Sequence, residues 1–171
     1  SMTTIHMAAG AIASGAGDVF IAAGVESMSR IPMGGFNPMP NPRLYKDYPQ
    51  AYISMGETAE NLAKKYSISR NEQEEFAVSS HHKAAKAAKS GAFDNEIVPI
   101  GDVKTDGTIR PDSSVEKLST LKPAFDKDGT VTAATSSPLT DGSAAVIVAS
   151  EEYADKHGLP KLARIKSMAV S

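Results

Sequence analysis

The chain has 171 residues, 41% apolar and 22% charged, with a formal net charge of −2 and no cysteine. That length buries a sizeable core, and the slightly acidic balance gives no electrostatic footprint for nucleic acid. Without cysteine there are no disulfides, thiolate metal sites or thiol nucleophiles in these residues, and no apolar run approaches the ~20 residues that cross a bilayer.

In chain order, residues 1–15 carry Ile5, Ala8, Ala9, Ile12 and Ala13 on one helical stripe, with Gly15 as the stop. Asp18 to Gly24 follows a short turn and reads as a buried strand. From Ile31 to Tyr52 the prolines at 32, 38, 40, 42 and 49 exclude regular structure over most of the stretch, and Tyr45, Tyr48 and Tyr52 are placed to anchor it by ring packing. Met55, Ala59, Leu62, Ala63 and Tyr66 then share a helical face. Ser69 and Glu72 have capping-box spacing for a second helix that runs to Ser90 and stops at Gly91. Glu96 to Ile100 and the Asp106-Gly107 turn read as short extended pieces of a hairpin. Ser113, Val115 and Glu116 repeat the capping logic for a short helix to Leu121.

Residues 129–150 are the densest stretch. Thr130-Val131-Thr132 suits an extended piece, Ala133 to Leu139 is small and hydroxylated, Asp141-Gly142 is a turn, and Ser143 to Ala149 reads as a strand buried on both faces. Two readings fit the small polar segment: a plain connection between strands, or a slot for a narrow ligand. Ser150 caps a short helix to His157 with Gly158 beyond, and the alternation over Ala163 to Val170 predicts a final strand. The layout is an α/β core interrupted by a largely helical insert.

Few residues stand out chemically. The four histidines (His6, His81, His82 and His157) lack metal-ligand spacing, and the adjacent pair faces different sides of its helix, so each reads as a surface or packing residue. Gly15-x-Gly17 precedes a strand instead of following one and fails as a phosphate loop. Arg110, between Ile109 and Pro111, fits either a surface arginine or a guanidinium that grips phosphate or stacks on a base. Met55 fits either a core or the wall of an apolar channel. No nucleophile, base and oxyanion site assembles from these residues, and no metal site is expected.

A resemblance runs over essentially the whole chain. Its motifs are Ser1 to Ala9; Ala23-Gly24-Val25-Glu26-Ser27-Met28-Ser29; Met55-Gly56-x-Thr58-Ala59-Glu60-Asn61; Phe76-Ala77-x-x-Ser80; and Asn95-Glu96-Ile97-x-Pro99. Leu121-Lys122-Pro123-Ala124-Phe125, Gly129-Thr130-Val131-Thr132-Ala133 and Asp141-Gly142 complete the series. In this order and spacing they resemble the thiolases, with Ala23 replacing the usual first glycine of its motif. The resemblance implies part of a layered αβαβα core with a helical loop-domain insert. It divides the chain into the second half of an N-terminal core (1–31), a coenzyme A-binding loop domain (32–128), a return to that core (129–160) and a first strand of a C-terminal core (161–171).

It also implies cleavage of 3-ketoacyl-CoA by CoA, or the reverse condensation, through a cysteine thiolate that takes the acyl group. Carried over residue by residue, Arg110 resembles the arginine at the adenine and phosphates, and Ala124 and Phe125 the pair beside the nucleotide end. Ser137 matches a serine bonded to a pantetheine amide, and Ala133 and Met55 line the pantetheine tunnel. Ala134 replaces a common glycine beside it, and Ser54 stands where some short-chain members carry histidine. Residues 135–139 look most like the thiolases of fatty-acid oxidation.

The nucleophilic cysteine would fall just before Ser1, and the family's C-terminal half is absent from these residues. The expectation is therefore the middle of a thiolase that carries no catalytic residue and is inactive alone. CoA or acyl-CoA is expected as substrate, with no covalently bound cofactor, no nucleic acid and no membrane span. A homodimer or homotetramer is expected for the whole enzyme, with cytoplasmic location of the bacterial type assumed. A non-catalytic acyl-CoA-binding or scaffold protein derived from a thiolase is the alternative; a ketoacyl synthase relative fits less well, because those proteins lack the helical insert.

Overall fold

The computed structural model describes residues 2–169. They divide into two compact units, one made of residues 2–38 and 139–169, the other of Met39–Pro138.

The first unit holds helix α1 (Met2–Ala13), strand β1 (Val19–Glu26), strand β2 (Gly142–Ala149) and, after the last of the helices, a stretch without regular structure. Helix α1 stops where the sequence signals it. Gly15 has φ 74°, its N–H donates to the Ile12 carbonyl at 3.0 Å, and the Ala16 N–H donates to the Ala11 carbonyl at 2.9 Å, which closes a left-handed helix end. The strands pair antiparallel, with Val19 opposite Ala149, Ile21 opposite Ile147 and Glu26 opposite Gly142. Alternation puts Phe20, Ala22 and Gly24 on one face and Val19, Ile21 and Val25 on the other. Helix α1 packs on the sheet, and Ala8 and Ala22 are buried there.

Neither strand is buried on both faces, as the apolar runs predicted. Ile21, Val25 and Ile147 are 75%, 80% and 66% exposed. A continuous apolar run states what a strand tolerates, while burial needs a second layer, and none covers these side chains among the described residues. The alternation over 163–170 likewise meets no ladder: residues 159–169 have no regular structure, and Val170 lies outside the described residues. Period-two patterning without a partner strand does not make a strand.

In the second unit, helix α2 (Pro42–Asp47) and a 3-10 turn (Pro49–Tyr52) occupy part of the proline-rich stretch, where the prolines predict irregular structure. Both begin on a proline. Pro42 stands at the first helical position, where its missing N–H costs nothing, and the Asn41 carboxamide oxygen caps the Arg43 and Leu44 N–H groups at 3.0 Å each. Two of the three tyrosines anchor the segment: the Tyr45 and Tyr52 rings lie 5.9 Å apart, and the Tyr52 hydroxyl accepts the Asn41 N–H at 2.9 Å, while Tyr48 is exposed.

Helices α3 (Met55–Tyr66) and α4 (Arg70–Lys89) follow, each opened by a complete capping box, Ser54 with Glu57 and Ser69 with Glu72. Helix α4 ends at Gly91, φ 76°, as read from the sequence. Helix α5 (Val115–Ser119) is capped by Ser114 and not by Ser113. Residues 96–108 form turns with one isolated bridge, Ile100 with Val103, instead of a hairpin. The extended piece at 130–132 is reduced to a bridge between Pro123 and Thr132, and Ala133–Thr135 makes a 3-10 turn. Back in the first unit, α6 (Glu151–Lys156) is capped by Ser150 and stopped by Gly158, φ 63°.

Candidate functional site

The Met39–Pro138 unit is organised around a buried carboxylate. Glu60 sits on α3, 3% exposed, and accepts the Thr130 N–H at 2.9 and 3.0 Å, the Thr130 hydroxyl at 3.2 Å and the Val131 N–H at 2.8 Å. Bonds from backbone N–H to a carboxylate are among the stronger ones, about 1.5–3 kcal/mol each. The Gln73 side-chain amide donates to the Thr130 hydroxyl at 2.9 Å, which ties the same residue to α4. Residues 129–132 are thus held by both long helices. Gly129 makes this approach possible, because a Cβ there would collide with Glu60 Oε1.

The same segment fixes Ala124 and Phe125. The Ala124 N–H donates to the Val131 carbonyl at 2.9 Å, and the Phe125 ring lies over Gly56, where a Cβ would run into it. Gly56 is therefore required by contact, and Met55, the first residue of α3, is 76% exposed. A cleft of ≈ 400 Å³ opens next to Phe125, lined also by Glu57, Glu60, Asn61, Lys64 and Asp126. Lys64 pairs with Asp126 at 3.1 Å. The Asp128 backbone N–H, with Lys64 assisting, holds the Asp126 carboxyl below its ordinary value.

Ala133 is exposed and Ala134 half-buried in the 3-10 turn that packs on α4, and Ser137 is exposed beyond it. The Glu60 anchor ties the segment that carries Ala124, Phe125, Ala133 and Ala134 to α3 and α4, while Met55 belongs to α3 itself.

Arg110 belongs to a separate attachment on α4. It opens a tight turn with Pro111 at the second position: the Ser113 N–H and hydroxyl donate to the Arg110 carbonyl at 3.2 and 2.9 Å. The turn is held from α4 by both adjacent histidines. His81 Nδ1 accepts the Arg110 N–H at 3.2 Å, and His82 Nε2 lies 3.0 Å from the Ser113 carbonyl. Along α4, His81 is eight residues beyond Gln73, which places the two attachments about 12 Å apart on the helix axis. Asp112, the arginine's acidic neighbour, is engaged by Lys117 at 2.8 Å, and that bond lowers its carboxyl below the ordinary value. The Arg110 guanidinium is exposed and makes no ion pair among the described residues.

In the sequence Glu60 is named only within a motif, His81 and His82 read as surface or packing residues, and Gln73 has no role. Glu60 carried a signal: a carboxylate between Gly56 and Ala63 on the small-residue face of an amphipathic helix is a candidate for burial. The histidines carried none, since their role depends on a turn thirty residues away in sequence.

The thiolase N-terminal domain profile matches residues 1–152. The chain belongs to the thiolase family. It is 49% identical to a 3-ketoacyl-CoA thiolase of Marinobacter nauticus over an alignment of 182 residues that takes in 100% of this chain and 46% of the relative. It is 45% identical to that of Bacillus subtilis, with 99% and 48% covered. Among solved structures, the dimeric peroxisomal thiolase of Saccharomyces cerevisiae superposes with a TM-score of 0.81 at 38% identity, over 92% of this chain and 43% of that one. The human mitochondrial 3-ketoacyl-CoA thiolase in complex with CoA gives 0.74 at 33%, over 92% and 44%. The α/β thiolase fold read from the motifs agrees with these structures, and the chain spans about half the length of the curated relatives it matches.

Two thiolase motifs meet in the first unit. The Asp141 carboxylate accepts the Ser29 N–H at 2.8 Å and the Ser29 hydroxyl at 2.5 Å, so the end of the Glu26-Ser27-Met28-Ser29 motif is stapled to the turn that opens β2. The Ser29 hydroxyl, followed by its N–H, holds the Asp141 carboxyl below its ordinary value.

Proposed function

We propose that this chain carries the coenzyme A-binding part of an acyl-CoA C-acyltransferase of the fatty-acid oxidation type, which cleaves 3-ketoacyl-CoA with CoA or condenses acyl-CoA units. The observation that carries the reading is the pair of anchored presentations in one unit: Phe125 seated on Gly56, and an exposed Arg110 without an ion pair among the described residues, beside an Asp112 that is bonded to Lys117. A planar guanidinium grips phosphate oxygens in a bidentate way and stacks on adenine, and an exposed phenyl ring borders the nucleotide. Ser137 offers a hydroxyl to a pantetheine amide, while Met55, Ala133 and Ala134 present small or flexible apolar surface to the pantetheine arm. The kinship with 3-ketoacyl-CoA thiolases, one of them solved with CoA, supports this choice of ligand.

Acyl transfer in this reaction needs a thiolate to form the acyl-enzyme bond, and residues 1–171 contain no cysteine. The chain's own contribution is therefore binding, and residues 1–171 turn over no acyl-CoA on their own. The loop domain at 32–128, the flanking core segments at 1–31 and 129–160, and a C-terminal-core strand at 161–171 belong to this reading. So do a homodimer or homotetramer for the whole enzyme and a cytoplasmic location like that assumed for bacterial thiolases. Titration calorimetry with CoA tests the ligand. Arg110→Ala is expected to weaken binding by about 1–3 kcal/mol, the loss of a charged donor. An unchanged dissociation constant would remove the role given to Arg110.

A further inference from the structure

We infer that His81 and His82 act as a two-point clamp that positions Arg110 for an anionic ligand; the inference rests on the assignment of Arg110 to the phosphates of CoA. The chemistry of the two bonds is fixed by their partners. A backbone N–H only donates, so His81 Nδ1 meets Arg110 as a lone pair, with the proton on Nε2. A carbonyl only accepts, so His82 Nε2 meets Ser113 as a donor. One histidine thus works as an acceptor and its neighbour as a donor. Together they hold both ends of the four-residue turn Arg110-Pro111-Asp112-Ser113.

The geometry explains why two histidines stand side by side on a helix. Neighbouring helical residues point about 100° apart, which normally sends them to different surroundings. Here the turn lies across both directions. Pro111 fixes the backbone torsion just after Arg110, and the Ser113 hydroxyl closes the turn from within at 2.9 Å. Lys117 also reaches the Asp112 carbonyl at 2.8 Å besides its carboxylate, which pins the third residue of the turn. Every residue from 110 to 113 is held, and the one group left without an ion pair is the Arg110 guanidinium. Affinity rises when the entropy of ordering a loop is already lost before the ligand arrives, and such a clamp supplies that preorganisation.

The test separates hydrogen-bonding roles from bulk. Asn places an acceptor oxygen where His carries Nδ1, and Gln places a donor nitrogen where His carries Nε2. His81→Leu and His82→Leu are each expected to weaken CoA binding about three- to tenfold, while His81→Asn and His82→Gln return it to within about twofold of wild type. Amide exchange read by NMR gives a second measure independent of ligand: the Arg110 N–H is expected to lose protection in His81→Leu and to keep it in His81→Asn. Wild-type affinity in both leucine variants, with binding lost in Arg110→Ala, would overturn the clamp and leave the ligand assignment standing. Equal CoA binding by wild type and Arg110→Ala would overturn the assignment, and the inference with it. Unchanged Arg110 protection in His81→Leu would overturn the clamp whatever CoA does.

Discussion

The two units handle burial in opposite ways. In Met39–Pro138 a short irregular segment, residues 123–132, is tied down by a buried carboxylate, a glutamine and a ring seated on a glycine, so its backbone groups find partners inside the unit. In the other unit the backbone ladder of β1 and β2 is complete, yet Ile21, Val25 and Ile147 face outward. One region is short of regular structure but tied by long-range hydrogen bonds, with the buried Thr132 hydroxyl left without a partner among the described residues; the other is regular but exposed over one face and at Val146 on the other. Local order and burial are thus separate properties.

The largest effect that would break this contrast is at Glu60. Glu60→Ala leaves the Thr130 and Val131 N–H groups without their acceptor and is expected to cost about 3–5 kcal/mol, read by urea denaturation of the Met39–Pro138 unit. A loss under about 1 kcal/mol would mean that residues 129–132 hold themselves. Gly56→Ala comes next, at about 1–3 kcal/mol, because the new methyl must displace the Phe125 ring.

On the bare face the expectation is reversed. Ile21→Thr with Ile147→Thr removes exposed apolar surface and changes stability by under about 0.5 kcal/mol, while self-association in sedimentation velocity falls. A loss of several kcal/mol there would show that the face is covered after all.

The smallest expected effect is with pH. The Ser54 backbone N–H and then its hydroxyl lower the Glu57 carboxyl below its ordinary 4.5, and Ser69, through its hydroxyl and then its backbone N–H, does the same for Glu72. A carboxyl whose folded value is depressed contributes stability that is fully present above its unfolded value and is lost as pH falls through the folded one. The melting temperature should therefore be flat above pH 4.5 with respect to these two groups and drop below it, and Glu57→Gln should flatten part of that drop. An acid limb unchanged by both Glu57→Gln and Glu72→Gln would contradict the capping account.

What the sequence disclosed follows the same division. Helix ends were legible because their causes are local: Gly15, Gly91 and Gly158 all adopt positive φ at the predicted stops, and Ser69 caps where its spacing with Glu72 said it would. The shift from Ser113 to Ser114 is equally local in scale, but its cause is not, since Ser113 is diverted to the Arg110 carbonyl. Pro42 was read as a breaker although it stands at the start of a helix, where proline is welcome. The burial of β1 and β2 was not legible, because an apolar run does not say which layers are there to cover it. Within the candidate site, Arg110 and Phe125 are picked out by likeness to thiolases, and their roles belong to the proposal. The groups that hold them, Glu60, His81 and His82, act across 29 to 71 residues of sequence, so their partners are not written in the spacing, although the helical position of Glu60 signals its burial.

The central claim, that Met39–Pro138 presents a coenzyme A surface, is tested most directly by titrating CoA into the isotope-labelled chain and following backbone amide shifts. The account predicts saturable shifts at Met55, Arg110, Ala124, Phe125, Ala133, Ala134 and Ser137, with α1, β1 and β2 unmoved. Absence of saturable shifts, or shifts confined to the sheet unit, would contradict it.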